Sequence, residues 1–339
     1  MARIEPLSVV VPAYNSACHL SETLESIAQQ TWPVAEVIVV DDASSDNTST
    51  IARASGARVI HQPHNAGPSA ARNAGVAHAR FPWIAFLDAD DRWYSTKLED
   101  QCRALARWPN VKICVSDYDV RSANGRLTST EMLGDVGYRL MQSFDRYESV
   151  AQYPSTELIR GLIRSMFVRQ SSLIVDRNLF LLVGGYDEQR RMGEDYEFML
   201  RLAAANPMLV VEKPLLCYRR HAAALSIDPL AELRSIDELF ESILARPDYY
   251  GELVARAVRE RRVPQLCDAV LRALRIGRFD EAEPFLRKAI ALERSSRSYA
   301  HYALWLGVHN PIGHRIHHAA RRAWRARHFP HPDLQRDQP

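Results

Sequence analysis

A short apolar run ends in three carboxylates within the stretch FPWIAFLDADDRW; these are Asp88, Asp90 and Asp91. The run from Trp83 to Leu87 is typical of a buried strand, and a core does not accept unpaired carboxylates. An open α/β sheet binds its ligands at the carboxyl ends of its strands. Clustered hard oxygens at such a place suit Mg²⁺ or Mn²⁺, which keeps waters and meets a substrate phosphate. The alternative is a solvated turn in which one of these acids caps the next helix.

Polar, turn-forming residues also follow three other strand-like runs, in PAYN (12–15), DDASSD (41–46) and HNAGPSAARNAG (64–75). Each has a simple structural explanation, namely a helix cap, the start of a turn or loop punctuation. Together they predict a pocket that holds a carboxylate for base or ribose hydrogens, an arginine for a base or phosphate, and the cation site. Neither a GxGxxG nor a GxxxxGKS loop occurs, so dinucleotide and P-loop sites lose their main support.

Two further acids, Glu194 and Asp195, open a helix-like segment in the second half of the chain. The positive end of the helix dipole favours a charged carboxylate there. A plain N-terminal capping pattern is the alternative. Arg219 ends the strand-like MLVVEKPLLCYR, and Arg220 and His221 follow it.

Strand-like and helix-like segments alternate from Leu7 to about Arg121. This alternation predicts an α/β fold, a mostly parallel, Rossmann-like sheet with helices on both faces. Residues 122–153 are polar and carry three glycines, so we expect an irregular insertion there. From about Leu230 helix signals continue without strands, and residues 269–292 have the spacing of a helical hairpin.

The composition is that of an ordinary globular protein with one large domain and an appendage, with 339 residues, 47% hydrophobic and 25% charged. Five scattered cysteines without a CxxC pair argue against a zinc site or a disulfide framework and fit a reducing cytosol. No apolar run approaches the roughly 20 residues that span a bilayer, and we expect no signal peptide and no nucleic-acid partner.

The order PAYN, VIVVDDASSDNT, NAGPSAARNAG and FLDADD resembles the N-terminal half of glycosyltransferase family 2, whose members are inverting nucleotide-sugar enzymes of the GT-A fold. With GGYDE and GEDYEF included, the resemblance runs from about Leu7 to Leu225. It implies a GT-A domain over residues 1–228, with a nucleotide-binding half at 1–121 and an acceptor half at 122–228. Residues 229–339 would form a C-terminal helical region with a basic tail.

The resemblance also implies a role for each motif residue. Asp42 matches the carboxylate that reads the nucleobase, and Asp195 matches the general base. Asp90 and Asp88 match the two acids of the DXD motif that holds Mn²⁺ or Mg²⁺ on the diphosphate, and His221 matches a late metal contact. The other expected nucleotide-sugar contacts are Pro12, Tyr14, Asn15, Asp41, Gly67, Arg72, Asn73, Asp88, Ala89 and Arg219.

The implied activity is metal-dependent, inverting transfer from a nucleotide-diphosphate sugar, expected to be a UDP-sugar, to a hydroxyl of a sugar, lipid-linked or protein acceptor. Its expected setting is synthesis of bacterial-type cell-surface polysaccharide or glycoconjugate. A nucleotidyltransferase is one alternative, but PAYNSA is not the Gly-rich, basic phosphate loop that it would need. A non-catalytic nucleotide-sugar binding protein is another, although it would be expected to lack an acid or the base.

The segment IGHRIHHAARRAWRARHF near the C-terminus combines arginines and histidines with apolar residues. A basic amphipathic helix of this kind rests on anionic lipid or is a solvated terminal helix. We therefore expect a cytoplasmic protein with peripheral contact at the inner face of the plasma membrane.

Overall fold

The computed structural model describes residues 6–122, 127–130, 135–190, 192–220 and 228–293. In these residues the strands form one mixed sheet, in which the path of neighbours is β3-β2-β1-β4-β10-β6-β11-β9-β8. Two short strands lie off this path, because β5 pairs with β11 and β7 pairs with β6. The strands are β1 (Leu7–Ala13), β2 (Glu36–Asp41), β3 (Arg58–His61), β4 (Trp83–Phe86), β5 (Arg92–Trp93), β6 (Ile113–Ser122), β7 (Leu127–Thr130), β8 (Asp145–Tyr147), β9 (Val150–Tyr153), β10 (Ile174–Asp176) and β11 (Met208–Arg220).

Helices connect the strands of this sheet, and further helices follow its last strand. The first seven are α1 (Leu20–Ala28), α2 (Thr48–Ala54), α3 (Pro68–His78), α4 (Lys97–Arg107), α5 (Val136–Arg139), α6 (Ser155–Leu162) and α7 (Arg177–Leu182). The others are α8 (Glu194–Ala205), α9 (Pro229–Ala245), α10 (Pro247–Tyr250), α11 (Glu252–Arg275) and α12 (Phe279–Leu292). A 3-10 turn at Gln170–Ser172 precedes β10.

The first four strands are parallel, with β1 between β2 and β4. The runs of β1, β2 and β4 are buried almost throughout, as expected for parallel strands covered on both faces, whereas β3 at the sheet edge is exposed or only partly buried. The chain builds outward from β1 through β2 to β3 and then returns to place β4 on the other side of β1. This reversal is a topological switch point, where the loops after β1 and β4 diverge and leave a crevice for a ligand. The sequence-predicted α/β fold is thus confirmed.

The second half of the sheet is centred on β11, which pairs in parallel with β6 over most of its length. The register shifts near Pro214, which has no backbone N–H to donate to the ladder. Between β4 and β6 lies β10, antiparallel to both. This places the 3-10 turn before β10 close to the carboxyl end of β4.

Residues 122–153 contain more regular structure than the irregular insertion that the sequence predicted. The strands β8 and β9 form a hairpin that extends the sheet through β11. These strands are three and four residues long, and all three residues of β8 are exposed. Strands this short carry too little sequence pattern to be predicted, so they are defined by pairing, of β9 with β11 and of β8 with β9.

The described parts of Met1–Ile227 and Glu241–Val258 form one compact unit, and those of Asp228–Phe240 and Arg259–Pro339 form a second. The first unit holds the sheet. The second has its own core, which includes Leu266, Val270, Phe285 and Leu286 from α11 and α12, the predicted helical hairpin. Within the described ranges, no helix combines the length and apolarity needed to cross a membrane.

Candidate active site

The loops after β1 and β2 are joined to each other by the Asn15 backbone and side chain. The Asn15 N–H donates to Ser44 Oγ at 2.9 Å, and Asn15 Oδ1 accepts from the Ser45 N–H at 2.9 Å. Asn15 has a φ of 48°, a left-handed conformation that asparagine tolerates better than most residues. The neighbouring Tyr14 is half exposed and Pro12 is partly buried. Asn15 therefore shapes this edge of the crevice, and Tyr14 offers it a ring surface.

The two acids after β2 differ in what binds them. Asp41 accepts hydrogen bonds from the Ser44 N–H at 3.0 Å and from the Ser49 hydroxyl. Burial by itself would raise the pKa of Asp41, but these hydrogen bonds outweigh burial and the pKa is lowered. Asp42 instead accepts from two backbone N–H groups at 2.8 Å each, those of Ala66 and Gly67. Asp41 thus stabilises its own loop, and Asp42 connects β2 to the start of α3.

Gly67 precedes Pro68, the first residue of α3, and has a φ of 91°. A Cβ at Gly67 would meet nothing within 4 Å, so the backbone conformation rather than lack of space favours glycine here. This turn directs α3 so that the Arg72 side chain lies among carboxylates. Arg72 Nη2 donates to Asp88 Oδ1 at 2.8 Å, and Arg72 Nη1 donates to Glu194 Oε1 at 3.3 Å.

Asn73, the next residue of α3, has different hydrogen-bond partners from Arg72. Its side chain exchanges hydrogen bonds of 2.9 Å with the backbone of Tyr186 and donates to Glu188 at 2.8 Å. Adjacent residues of a helix point about 100° apart, because an α-helix has 3.6 residues per turn. The two residues therefore make different contacts, with Asn73 holding the backbone of the GGYDE loop and Arg72 lying 5.2 Å from the centre of the Tyr186 ring.

The acidic turn, residues 88–91, follows β4 as the sequence predicted. Asp88 and Asp90 are partly buried, while Ala89 and Asp91 are buried. The Asp91 N–H donates to the Asp88 carbonyl at 3.1 Å and closes the turn. The Thr23 hydroxyl of α1 lies within hydrogen-bond distance of two carbonyls, those of Ala89 at 2.9 Å and Asp91 at 2.8 Å. The turn is therefore fixed by its backbone, which leaves Asp88 and Asp90 at its surface.

Arg219 on β11 lies against this acidic turn. Its Nε donates to the Asp90 carbonyl at 2.5 Å, its Nη1 donates to Glu22 at 2.9 Å, and its backbone N–H donates to Asp91 at 3.2 Å. The remaining nitrogen, Nη2, is buried and has no partner among the described residues. A buried donor of a charged group without an acceptor is costly, so Arg219 is suited to receive an anion.

Helix α8 begins with the two acids that the sequence singled out. Gly193, its N-cap, has a φ of 71°, a left-handed conformation that favours glycine. Burial and the charge of Asp195 raise the pKa of Glu194, and the opposing charge of Arg72 does not cancel them. Asp195 is partly buried and accepts from the Tyr196 N–H at 2.7 Å. Arg72 thus brings Asp88 and Glu194 together, with Asp195 as the next residue along the chain.

Comparison with known proteins identifies the family. The sequence model of the family described as Glycosyl transferase family 2 matches residues 8–166. Over 273 residues the chain is 31% identical to the succinoglycan biosynthesis protein ExoO of Rhizobium meliloti (strain 1021). This match covers 77% of the chain and 74% of ExoO. The chain belongs to glycosyltransferase family 2. The resemblance drawn from the order of the motifs is therefore confirmed.

The chain is also similar to a further relative and to a solved structure. The putative teichuronic acid biosynthesis glycosyltransferase TuaG of Bacillus subtilis (strain 168) is 36% identical over 107 residues, or 30% of this chain and 42% of that protein. The crystal structure of S. aureus TarS 1-349 in complex with UDP-GlcNAc has a TM-score of 0.61 at 19% identity. That match covers 94% of this chain and 92% of TarS 1-349. At this identity the likeness supports the fold alone.

The family motifs do not include every residue that contacts the acidic turn and helix α8 of this glycosyltransferase. Sequence reasoning missed Thr23 of α1 and Gln170 and Ser171 of the 3-10 turn, which contact these elements. It also missed Glu22 of α1, which accepts from Arg219. A possible sequence signal was the polar QSS directly before the apolar LIV, since three polar residues beside a buried strand need hydrogen-bond partners. His221 lies outside the described residues.

Proposed function

We propose that this family 2 glycosyltransferase moves a sugar, with inversion, from a nucleotide-diphosphate sugar to an acceptor hydroxyl. The observation that carries the proposal is the double contact of Arg72 with Asp88 and Glu194. It supports a site in which the acids that would hold the cation on the donor diphosphate lie beside α8, whose first turn carries the proposed base. One crevice at the switch point between β1 and β4 would then hold both reactants.

The acidic turn fits a divalent cation by the chemistry of its donors. Burial raises the pKa of Asp91 well above its usual range, and repulsion by the negative charges of Asp90 and Asp88 adds to this. No set of three or more His, Cys, Asp or Glu side chains in the described ranges is arranged to hold an ion. Mg²⁺ fits such a place because it needs only one or two carboxylates and completes its shell with waters and substrate phosphates.

We assign Asp90 and Asp88 as the ligands of Mn²⁺ or Mg²⁺, with His221 as a further candidate. When bound, the cation would supply neutralising charge to the leaving diphosphate. Arg219 would add to this with its buried Nη2, which has no acceptor among the described residues. An arginine is suited to this role because its guanidinium stays charged and matches phosphate geometry.

Asp195 is the proposed general base. Its carboxylate would take the proton of the acceptor hydroxyl while that oxygen forms a bond to the anomeric carbon. The bond from the anomeric carbon to the diphosphate oxygen breaks in the same step, and the diphosphate departs on the opposite face. A single displacement needs one base and inverts the configuration at the anomeric carbon.

The nucleotide would lie over the loops after β1 and β2. Asp42 keeps further acceptor capacity beyond its two backbone N–H donors, because a carboxylate offers about four lone-pair sites. Tyr14, half exposed at the edge of this crevice, could stack on a base or ribose. UDP is the nucleotide that we expect, and the complex of TarS with UDP-GlcNAc supports this choice for a protein of the same fold.

The names of two relatives, for succinoglycan and teichuronic acid biosynthesis, support a role in making a cell-surface polysaccharide or glycoconjugate. The acceptor would then be a sugar, lipid-linked or protein hydroxyl. The basic tail lies outside the described residues, so peripheral contact with an anionic membrane from the cytoplasmic side is proposed from its sequence alone.

The decisive experiment measures release of nucleoside diphosphate from a panel of nucleotide sugars, with Mn²⁺ or Mg²⁺ present. We expect release from one donor, several-fold above the others, which would also identify the sugar and base. Release of pyrophosphate from a nucleoside triphosphate would indicate a nucleotidyltransferase instead. Tight binding of a nucleotide sugar without release, with a panel of acceptors present, would indicate a binding protein.

A further inference from the structure

The 3-10 turn Gln170–Ser172 belongs to none of the family motifs, yet its three residues are buried beside the proposed site. The turn immediately precedes β10, which lies between β4 and β6 in the sheet. Buried polar side chains are retained where they find hydrogen-bond partners. The partners of Gln170 and Ser171 lie on the two opposite sides of the reaction.

Ser171 contacts the donor side. Its Oγ accepts from the Asp88 N–H at 3.1 Å and its hydroxyl donates to Asp91 Oδ2 at 2.6 Å. Its carbonyl accepts from Trp93 Nε1 at 2.7 Å. The buried Ser171 side chain thus holds the backbone of Asp88 and the carboxylate of Asp91, the first and last acids of the acidic turn.

Gln170 contacts the acceptor side. Its Oε1 accepts from the Tyr186 hydroxyl at 2.6 Å, and its Nε2 makes a long contact of 3.5 Å with the carbonyl of Asp195. Arg169, the residue before it, interacts electrostatically with Asp195 and lies over the rings of Tyr218 and Tyr118, at 4.6 Å and 5.4 Å. The amide of Gln170 therefore links the GGYDE loop to the first turn of α8.

We propose that Gln170 and Ser171 are positioning residues that set the distance between the metal-binding turn and the base-carrying helix. Ser171 fixes the acidic turn, Gln170 fixes the start of α8, and the peptide bond between them joins the two. Neither residue touches the reacting atoms. The proposal rests on the proposed function, since it assumes that Asp88 and Asp90 serve the donor and Asp195 the acceptor.

The two residues are expected to affect different measurements. In Ser171→Ala the Asp91 carboxylate loses its hydroxyl donor and the Asp88 N–H loses its acceptor. UDP affinity measured by calorimetry with Mn²⁺ should therefore fall about tenfold or more. UDP affinity without Mn²⁺ should change little. Gln170→Leu should lower kcat by about tenfold, while UDP affinity with Mn²⁺ stays within about twofold of the wild type.

Ser172→Ala is the matched control, because Ser172 is equally buried in the same turn but its hydroxyl donates to the Arg169 carbonyl at 2.7 Å. Ser172→Ala should lose about as much thermal stability as Ser171→Ala and keep the UDP affinity and kcat of the wild type. Equal loss of UDP affinity in Ser171→Ala and Ser172→Ala would overturn the proposal, as would loss of UDP affinity in Gln170→Leu. If Ser171→Ala does not fold, Ser171→Cys keeps the side-chain size with a weaker donor and should show the same selective loss.

The failure of the proposed function would look different. In that case the wild type would neither bind UDP nor release it from any nucleotide sugar. A wild type that binds and releases UDP, with variants that behave alike, would contradict only the role of Gln170 and Ser171.

Discussion

The guanidinium of Arg72 donates a hydrogen bond of 2.8 Å to Asp88 Oδ1. Its other terminal nitrogen donates to Glu194 at 3.3 Å, so one side chain of α3 spans the end of β4 and the start of α8. The Arg72 side chain is 6% exposed. Burial alone would lower the pKa of Arg72, but Asp88, Tyr186 and Glu194 outweigh burial and the pKa is raised. Arg72 is therefore a permanent cation that holds two carboxylates from distant parts of the sequence.

Arg72→Lys tests whether the shape of this cation matters beyond its charge. A lysine ammonium is a point charge and does not reproduce the planar fork that reaches both carboxylates. We expect turnover to fall by on the order of 10²-fold, because a small misplacement of catalytic groups is costly. Steady-state release of nucleoside diphosphate checks this. Wild-type turnover in Arg72→Lys would show that charge alone suffices.

Asp90→Asn tests the metal assignment. The substitution keeps the side-chain size and removes one negative charge from the acidic turn. We expect turnover to be abolished and UDP affinity in Mn²⁺ to fall, with a thermal unfolding midpoint close to that of the wild type, since Asp90 lies at the surface of the turn. Asp100→Asn is the control, because Asp100 is also partly buried but lies on α4, where it accepts from Lys213 at 3.1 Å. Full activity in Asp90→Asn, or in wild type treated with a chelator, would refute metal dependence.

The placement of the donor-side candidate residues at the ends of strands was predictable from sequence because local patterns define it. An apolar run that stops at Asp88 is a strand with a polar end, whatever the rest of the chain does. Parallel strands then bring such ends to one edge of the sheet. The same pattern singled out Asp42 and Asn15, since each lies within two residues of the end of a Val-rich strand.

The rest depends on contacts between distant residues. Ser171 is 80 residues from Asp91, and no spacing rule connects a buried serine to an acid so far away. Asn73 lies in the same motif as Arg72, NAGPSAARNAG, but its side chain bonds to the GGYDE loop, because neighbouring side chains of a helix point in different directions. Within residues 122–153, the short strands β7 and β9 pair with the distant strands β6 and β11, and no local pattern in sequence reveals those partners.

Asp195→Asn separates binding from chemistry. The variant lacks the proposed base but keeps the donor pocket, so nucleotide-sugar affinity should stay close to wild type while turnover falls by on the order of 10² or more. Glu194→Gln is the comparison on the adjacent residue, where a neutral amide still accepts from Arg72, and its turnover should fall by less than about tenfold. Single-turnover kinetics with calorimetry measures both effects. Lost affinity with retained turnover would move Asp195 to the donor site.

Deletion of residues 310–339 tests the basic tail. This segment carries six arginines against two aspartates, and each arginine near anionic lipid contributes on the order of 1 kcal/mol. The truncated protein should no longer sediment with anionic liposomes, whereas the full chain should do so at low salt and less at high salt. Hydrolysis of the donor in solution should be unchanged. Salt-independent sedimentation of both proteins, or of neither, would contradict membrane attachment by the tail.

A buried lysine lies behind the acidic turn. Lys97 begins α4, is fully buried, and donates to Gln101 Oε1 at 2.6 Å, while its Nζ lies 4.1 Å from the centre of the Trp93 ring. Burial lowers the pKa of Lys97 from 10.5 to about 7, although the neighbouring thiols of Cys114 and Cys102 act in the opposite direction. Trp93 in turn donates to the Ser171 carbonyl, so Lys97 supports the residues that hold the acidic turn.

The lowered pKa of Lys97 predicts that the protein becomes more stable as the pH rises from about 7 to 8.5. In this range the unfolded chain binds a proton that the folded chain has lost, so the free energy of unfolding increases, by at most about 1.4 kcal/mol per pH unit. Above pH 9 the buried thiols, whose pKa values burial raises to about 12, oppose this trend. Urea unfolding between pH 7 and 8.5 should show the rise in wild type and in Lys213→Met, which changes an exposed lysine, but not in Lys97→Met. An unchanged pH slope in Lys97→Met would show that Lys97 stays charged in the folded protein.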